Sequence, residues 1–188
     1  GASQNLVLDG GSAGAISVGQ VNSLGDLTVT DSATTEFTGT VGAADVTLTD
    51  STTITFTGKL TNSGTIDSAS NAQNIVFTDG IASTGAGTFL HTGSLQLGSA
   101  TDDTSVFTGG MTHTAGATTL WNSLTSTDKA LSVAALTLGS NATIDTNAAT
   151  TAGDLTIGAV TGASKTLTLS TGNNIAGADI TAASAISG

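Results

Sequence analysis

Several residue types are missing or rare in this sequence of 188 residues. It has no cysteine, so neither a disulfide nor a thiolate metal site supports its fold. It has no arginine, and its three lysines face 14 acidic residues, which gives a net charge of −11. Nucleic acids and anionic membrane surfaces both attract clustered basic residues, so this composition argues against either partner. No apolar run approaches the roughly 18 residues of a spanning helix, which argues against membrane insertion.

Small and β-branched residues occupy the places that charged residues usually fill. Charged residues make up only 9% of the chain, whereas hydrophobic residues make up 38% and the mean hydropathy is +0.24. Disorder requires low hydrophobicity together with high net charge, and here the apolar residues are both frequent and regularly spaced. Threonine, valine and isoleucine fit the pleated surface of a strand. The composition therefore predicts a folded, all-β domain.

An internal repeat of about 19–22 residues extends over residues 24–170. The segment 27–41 (LTVTDSATTEFTGTV) is similar to the segment 46–60 (VTLTDSTTITFTGKL), which lies one repeat further along the chain. In the second half, the segments 136–138 (LTL) and 155–157 (LTI) are separated by the same offset. Phe-Thr steps mark the first half of the repeat array, at Phe37, Phe56, Phe77 and Phe107.

The repeat length and its internal alternation predict the fold. Apolar residues alternate strictly with threonine, as in the segment 46–49 (VTLT), which indicates a short strand with one buried face. Repeats of about 20 residues that hold two or three such strands are typical of a β-solenoid, also called a parallel β-helix. An antiparallel β-sandwich or jelly roll also has short, evenly spaced strands and is the alternative.

In a solenoid, equivalent residues of successive repeats lie above one another. The Phe-Thr residues are then expected to form a core ladder, and the alternating threonines to form ladders on the outside. The expected core ladder consists of Phe37, Phe56, Phe77 and Phe107.

We expect a single domain over residues 1–188. Residues 1–23 are interpreted as an N-terminal strand or cap, residues 24–170 as degenerate repeats, and residues 171–188 as a C-terminal cap or edge strand. The chain begins Gly-Ala-Ser, which fits a mature form after signal removal and equally fits a fragment.

The repeat segment 27–42 and its relatives resemble the β-strand repeats of very large bacterial surface proteins. Filamentous-haemagglutinin-like proteins and autotransporter-type passengers are examples, and the resemblance covers most of residues 24–170. It implies a right-handed parallel β-helix at the cell surface that acts as an adhesin, a filament or a surface-layer component. It also implies that the repeat region is not catalytic.

Catalytic motifs are scarce. The segment 10–14 (GGSAG) matches the G-x-S-x-G pattern of a nucleophile elbow, but that motif needs a strand–turn–helix context, and no helix is indicated here. A polysaccharide-cleaving groove needs clustered carboxylates or basic groups. Glu36 is the only glutamate, and Lys59, Lys129 and Lys165 are dispersed. We therefore expect no enzymatic activity.

Two sets of residues are candidate metal ligands. His91 and His113 are the only histidines, and they would stack if one coil of the repeat spans the distance between them. Two histidines fall short of the three or four ligands of a usual metal site, so we expect both to be exposed and unpaired. Asp102-Asp103 is the only acidic pair and the candidate calcium site; the other aspartates are expected in turns. No other cofactor is indicated.

Two further features concern carbohydrate. Asn141-Ala142-Thr143 is an N-glycosylation sequon, which makes Asn141 the candidate acceptor. Trp121 is the only tryptophan and tyrosine is absent, so the aromatic platforms typical of a sugar-binding cleft are lacking.

An apolar segment near the N-terminus is the candidate assembly element. Leu6-Val7-Leu8 is a short strand that is expected to add to the sheet of a neighbouring subunit. We therefore expect an extracellular, self-assembling subunit of a surface filament, fibre or layer, whose partners are further copies or other surface-protein subunits. The alternatives are a rigid spacer segment of a large adhesin, and a carbohydrate- or host-surface-binding module.

Overall fold

The structure is a computed structural model that describes residues 3–172, 175–182 and 186–187. Within these residues the chain forms 20 β-strands and no helix, and so nothing helical there is long and apolar enough to cross a membrane. In chain order the strands are β1 (Leu6–Val18), β2 (Leu27–Phe37), β3 (Val41–Ala43), β4 (Val46–Leu48), β5 (Thr53–Phe56), β6 (Leu60–Asn62), β7 (Ile66–Ser68), β8 (Asn74–Phe77), β9 (Ile81–Ser83), β10 (Gly87–Phe89), β11 (Leu95–Leu97), β12 (Thr104–Phe107), β13 (Met111–Leu120), β14 (Ser123–Thr125), β15 (Leu131–Leu138), β16 (Ala142–Ala148), β17 (Leu155–Thr161), β18 (Leu167–Gly172), β19 (Ile180–Ala182) and β20 (Ile186–Ser187).

Successive coils pair in parallel on three faces. The first part of β2 pairs with β4, and its second part, after a bend, pairs with β5. The third face is a separate seven-stranded sheet that starts with β3, β6 and β9. Stacking continues in this way over about eight coils. The predicted β-solenoid is confirmed, and the antiparallel alternative is wrong, because the described strand pairs all run parallel.

Coil length varies along the chain, and the longest coils lie in its second half. Ser32 and its hydrogen-bond partner Ser51 in the next coil are 19 residues apart, whereas Asp154 and its partner Asp179 are 25 residues apart. The predicted range of repeat lengths is therefore too narrow for the later coils. Longer turns at the corners, such as residues 98–103 between β11 and β12, account for the additional residues.

The terminal segments take part in the same stack. β1 pairs with β2 as the first coil, and Val21 forms an isolated parallel bridge to Val41. At the other end, β19 and β20 both pair with β17. Residues 1, 2, 173, 174, 183–185 and 188 of the predicted terminal segments lie outside the described residues.

Aromatic rings stack in the interior of the second face. The ring centroids of Phe37 and Phe56 are 4.7 Å apart with an interplanar angle of 3°, and those of Phe56 and Phe77 are 5.2 Å apart. All three side chains are fully buried. In the next coil the register places Leu97 opposite Phe77, so the row continues with an aliphatic side chain.

Phe107 does not extend this ladder, contrary to the sequence prediction. It lies at the end of β12 on the third face, opposite Ser83. Its ring instead reaches across the core to Gly87, where an added Cβ would lie only 2.7 Å from the ring. Leu97 occupies the ladder position of this coil, and the Phe-Thr step comes ten residues later, on the third face, although its sequence motif is unchanged.

Buried polar side chains hold the corner between the third and first faces. Asn62 donates its amide N–H to the carbonyl of Gly64 at 2.7 Å, and the Ser126 hydroxyl donates to the carbonyl of Lys129 at 2.6 Å. In a later coil, Thr146 donates to the carbonyl of Gly153 at 2.6 Å. Each side chain thus adds a hydrogen bond to a carbonyl group of the turn and ties that turn to the end of the third-face strand.

The same corner requires glycine in successive coils. A Cβ added to Gly85 would lie 2.5 Å from the carbonyl carbon of Gly64, and one added to Gly109 would lie 2.5 Å from that of Gly85. The atoms in the way are backbone atoms, which no rotamer change can move. Neither Gly85 nor Gly109 has a positive φ, so the constraint is the close approach of the coils rather than backbone conformation.

Gly85→Ala is expected to lower the free energy of unfolding by about 1–3 kcal/mol, because the added methyl group overpacks the corner against backbone. Gly19→Ala is the matched control, since a Cβ there meets nothing within 4 Å, and it should change stability by less than about 0.5 kcal/mol. Chemical denaturation of both variants measures the difference. Equal stability of the two variants would contradict the close coil approach at this corner.

Candidate functional sites along the solenoid

The serine motif near the N-terminus lies within a strand. Residues 10–14 belong to β1, where the register against β2 shifts between Gly11 and Ala15. Ser12 is exposed, and the segment leads on into the rest of the strand rather than into a helix. The segment therefore forms a bulge, which is not the strand–turn–helix geometry that a nucleophile elbow requires.

The candidate calcium pair is divided between two roles. Asp103 accepts hydrogen bonds from the backbone N–H groups of Ser99 (2.6 Å) and Ala100 (2.7 Å), and so closes its own turn. Asp102 is exposed. Among the described residues, no three His, Asp or Glu side chains come together in a way that could hold a metal ion.

A recurrent hydrogen bond joins one coil to the next. An Asn or Asp at a corner accepts the backbone N–H of a residue at the equivalent corner of the following coil. We call these bonds Asx staples, and they are Asn5 to Asp26 (2.9 Å), Asp45 to Thr65 (2.6 Å), Asn74 to Ser94 (2.9 Å), Asn141 to Thr166 (2.9 Å) and Asp154 to Asp179 (3.2 Å). They give a structural role to acidic residues that look scattered in the sequence.

Asp128 makes the most extensive contact of this kind. Its Oδ1 atom accepts the backbone N–H groups of Ala149, Thr150 (2.8 Å) and Thr151 (3.3 Å), and its Oδ2 atom accepts the Thr150 hydroxyl at 2.7 Å. The hydrogen bonds from Thr150 above all, followed by that from Ala149, hold the pKa of this carboxyl well below its usual range. Asp128 also has a φ of 55°, a left-handed conformation that Asp and Asn tolerate better than most residues.

The sequon asparagine is also a staple. Asn141 is exposed, and its Oδ1 atom accepts the N–H of Thr166. A glycan would attach at Nδ2, the other atom of the amide, so glycosylation at Asn141 stays a prediction.

The predicted assembly strand is paired within its own chain. Leu6, Val7 and Leu8 stand opposite Leu27, Thr28 and Val29 of β2. Leu6 and Leu8 face the core and are partly buried, whereas Val7 points outward and is 64% exposed. Residues 6–8 are therefore not a free donor strand, because they already pair with β2 as part of the first coil.

Both histidines lie inside the solenoid, contrary to the expectation of two exposed side chains. His91 and His113 have no solvent exposure, and their ring centroids are 4.5 Å apart with an interplanar angle of 25°. The Phe89 ring contacts both edge-on, with centroids at 5.9 Å from His91 and 6.3 Å from His113. They form a buried, stacked imidazole pair, which we call the histidine stack.

Hydroxyl groups determine the protonation pattern of the histidine stack. The Ser68 hydroxyl oxygen accepts the N–H of Leu90 at 3.1 Å, so its own proton is available for Nδ1 of His91 at 2.8 Å. With Nδ1 as acceptor, the proton of neutral His91 is on Nε2. That Nε2 atom is buried and makes no hydrogen bond of good geometry.

His113 is arranged in the same way. Its Nε2 atom lies 3.3 Å from the carbonyl oxygen of His91 and donates to it, because a carbonyl can only accept. Its Nδ1 atom then accepts the hydroxyl of Thr118 at 2.8 Å. Both rings are thus held as neutral Nε2–H tautomers.

Burial depresses the basicity of both rings. It lowers the pKa of His91 to about 4, aided by repulsion from His113 and opposed by the backbone of Ser94. Burial also lowers the pKa of His113, against a smaller opposite effect of the His91 backbone. Both imidazoles are therefore neutral at pH 7.

A shallow groove lies at the corner between the third and first faces in the first coils. Its volume is about 360 Å³, and its lining includes Ser3, Leu24, Asn62 and Thr84. All ten of its lining residues are uncharged. It brings together no groups that could act as acid and base.

Comparison with known proteins found no match to a family model, to a curated protein or to a solved structure. The fold itself therefore defines the class, which is a β-solenoid repeat protein.

Asp128→Asn is expected to lower the melting temperature at pH 7 by a few degrees, because the amide keeps one acceptor oxygen but loses the charge. Asp102→Asn removes the same charge from an exposed position and serves as the matched control, with little change expected. Thermal unfolding followed by circular dichroism measures both variants.

The effect of Asp128→Asn should depend on pH in a defined direction. Because the folded-state pKa of Asp128 is depressed, its stabilisation is present above the ordinary carboxyl pKa of about 4 and is lost as the pH falls below it. The difference between wild type and Asp128→Asn should therefore shrink between pH 4 and pH 2. A difference that stays constant over this range would contradict the stapling role of the carboxylate.

Proposed function

We propose that this chain is an extracellular structural protein, a self-assembling subunit of a surface filament, fibre or layer. The observation that carries the proposal is the open strand edge at each end of the described solenoid. β1 pairs with β2, and its other edge has no strand partner among the described residues. A further coil from a second copy would continue the same parallel pairing.

The hydrophobic core of the solenoid is also partly exposed to solvent at the β1 end. The inward-facing residues of the middle coils, such as Val46, Ile66 and Leu95, are fully buried. The inward-facing residues Leu6, Leu8, Val18 and Leu24 at this end are only partly buried. Covering them with another coil would remove apolar surface from water, which favours end-to-end association. Unpaired strand edges favour the same contact.

Charge supports assembly along the axis over assembly side by side. The chain carries a net charge of −11, and its lateral faces present outward threonines and acidic residues. Like charges on neighbouring rods repel one another. Lateral packing is therefore less favourable than the stacking of end coils.

The extracellular assignment rests on the sequence. The Thr- and Ser-rich acidic composition and the similarity of the repeat to bacterial surface-protein repeats support it. Proteins with such repeats act as filaments, surface layers or adhesins, which agrees with a rod whose interior is filled by side chains.

A rigid spacer within a larger adhesin is the second candidate, and the continuity of the stack favours it. About eight coils at about 4.8 Å each give a rod of roughly 40 Å. In that case neighbouring coils of the same polypeptide would cover the edges that are open here.

Electron microscopy of the purified chain, with and without calcium, tests the proposal, and one substitution tests the open edge. Leu6 donates its N–H to Asp26 in the second coil, so the N–H of Val7 points to the opposite, open edge. Val7→Pro removes that donor while β1 stays paired with β2. Val7→Thr is the matched control, because it keeps the N–H and places threonine where the next coils have Thr28 and Thr47.

Filaments are expected for wild type and for Val7→Thr, and their loss or marked shortening for Val7→Pro. Single particles at every concentration of wild type would overturn self-assembly and leave the spacer role. Unchanged filaments of Val7→Pro would show that the β1 edge is not the contact.

A further inference from the structure

The histidine stack is packed tightly in the interior of the solenoid, where a positive charge would have no contact with water. An added Cβ at Gly116 would lie 3.0 Å from Nε2 of His113, which shows how closely the chain packs around the rings. On the other side, the Phe89 ring contacts both imidazoles edge-on. A charged imidazole at this place would be cut off from water by its own coils.

The hydrogen bonds around the stack favour neutral rings. A second proton on His91 would have to bind at Nδ1, where the Ser68 hydroxyl now donates. Ser68 Oγ already accepts the N–H groups of Leu90 at 3.1 Å and His91 at 3.4 Å, so it is poorly placed to accept a third. Protonation of His113 at Nδ1 would force the Thr118 hydroxyl to rotate from donor to acceptor.

Among the residues that the structure describes, no acidic side chain is placed to neutralise a charged ring. Of the strands around the stack, β7 carries Asp67, which lies between the inward-facing Ile66 and Ser68 and accepts the Thr65 hydroxyl at 2.9 Å. Strands β4, β10, β11, β13 and β15 carry no Asp, Glu, Lys or Arg. The turns 69–73 and 90–94 add no ionisable group besides His91 itself. Each histidine is the nearest ionisable neighbour of the other, at a ring distance of 4.5 Å.

We propose that the histidine stack is an acid-sensitive joint in the rod, which opens locally around residues 89–120 when the imidazoles are protonated, while the coils of residues 27–83 stay stacked. The proposal concerns a single chain and does not depend on filament formation. It gives the solenoid a defined place at which acidification breaks coil-to-coil contact.

The direction of the pH effect follows from linkage. An exposed histidine in the open state has a pKa near 6.5, whereas burial lowers the pKa of His91 to about 4 and also lowers that of His113. The stack is therefore stable above pH 6.5, and its stability falls as the pH drops from 6.5 towards 4. In that window protonation of His91 raises the opening equilibrium constant by up to about tenfold per pH unit, and protonation of His113 adds to the rise.

The first test is a pH titration of the imidazole Cε1–H signals by NMR, which is simple because the chain has only two histidines. Neither signal should titrate near pH 6.5 in the closed protein. Instead, signals of the opened state should appear between pH 6 and pH 4.5. Two signals that titrate at about 6.5 with no structural change would overturn the proposal.

The second test is amide hydrogen exchange at pH 7.5 and pH 5, corrected for the intrinsic effect of pH. Protection should fall by at least tenfold in residues 89–120 and stay unchanged in residues 27–83, which serve as the internal control. The variant with both His91→Gln and His113→Gln cannot be protonated at these positions and should lose the pH dependence.

Two outcomes of the exchange test would contradict the joint. Loss of protection spread evenly over all coils, or the same loss in the double glutamine variant, would assign the acid effect to the carboxylates instead. If the variant does not fold, the comparison of the two segments in wild type still decides between these explanations.

Discussion

The structure depends on parallel hydrogen bonding between successive coils. This pairing places each residue directly above its equivalent in the preceding coil, so that side chains of one kind form continuous rows. Phe37, Phe56 and Phe77 form such a row, and the inward residues Leu27, Val46 and Ile66 form another. Parallel stacking also brings the corners together, which explains why glycine recurs where the backbones of adjacent coils nearly touch.

Parallel stacking of the coils also determines which hydrogen bonds the polar side chains make. A corner interrupts the regular ladder and leaves backbone groups without partners, and Asn, Asp, Ser and Thr side chains supply the missing hydrogen bonds. Asp128 bonds three backbone N–H groups of the next coil, and Ser126 pairs a carbonyl at the same corner. Many of the polar side chains therefore hold coils to one another.

Much of the fold could be predicted from the sequence, because its signals are local. Alternation of apolar residues and threonine indicates strands, and the near repeat of segments 27–41 and 46–60 indicates their stacking. Features that depend on the register between coils could not be predicted from motifs. Phe107 is equivalent to Ser83 on the third face, although its Phe-Thr-Gly motif is the same as that of Phe37 and Phe56.

The positions of the histidines and the acidic residues could likewise be predicted only in part from the sequence. The spacing of His91 and His113 pointed to a stack, but the register places His113 opposite Phe89, and only the bend after Phe89 brings His91 against it. Their burial depends on that bend, which no motif indicates. The Asx staples do leave a signal, an Asn or Asp in each of several corners, but it can be recognised only once the coil length is known.

The fold is a single column of coils in register, and distances along one outward row of residues test this arrangement most directly. The register aligns Thr47, Ser132, Thr156 and Thr181 on the first face, and Ser132 lies four coils from Thr47, with Thr156 and Thr181 five and six coils away. Because the chain has no cysteine, pairs of introduced cysteines can carry spin labels without interference. Pulsed electron paramagnetic resonance should give distances from Thr47→Cys of about 19, 24 and 29 Å to labels at positions 132, 156 and 181, since each coil adds about 4.8 Å. Distances that do not increase with the number of coils would contradict the stacked solenoid.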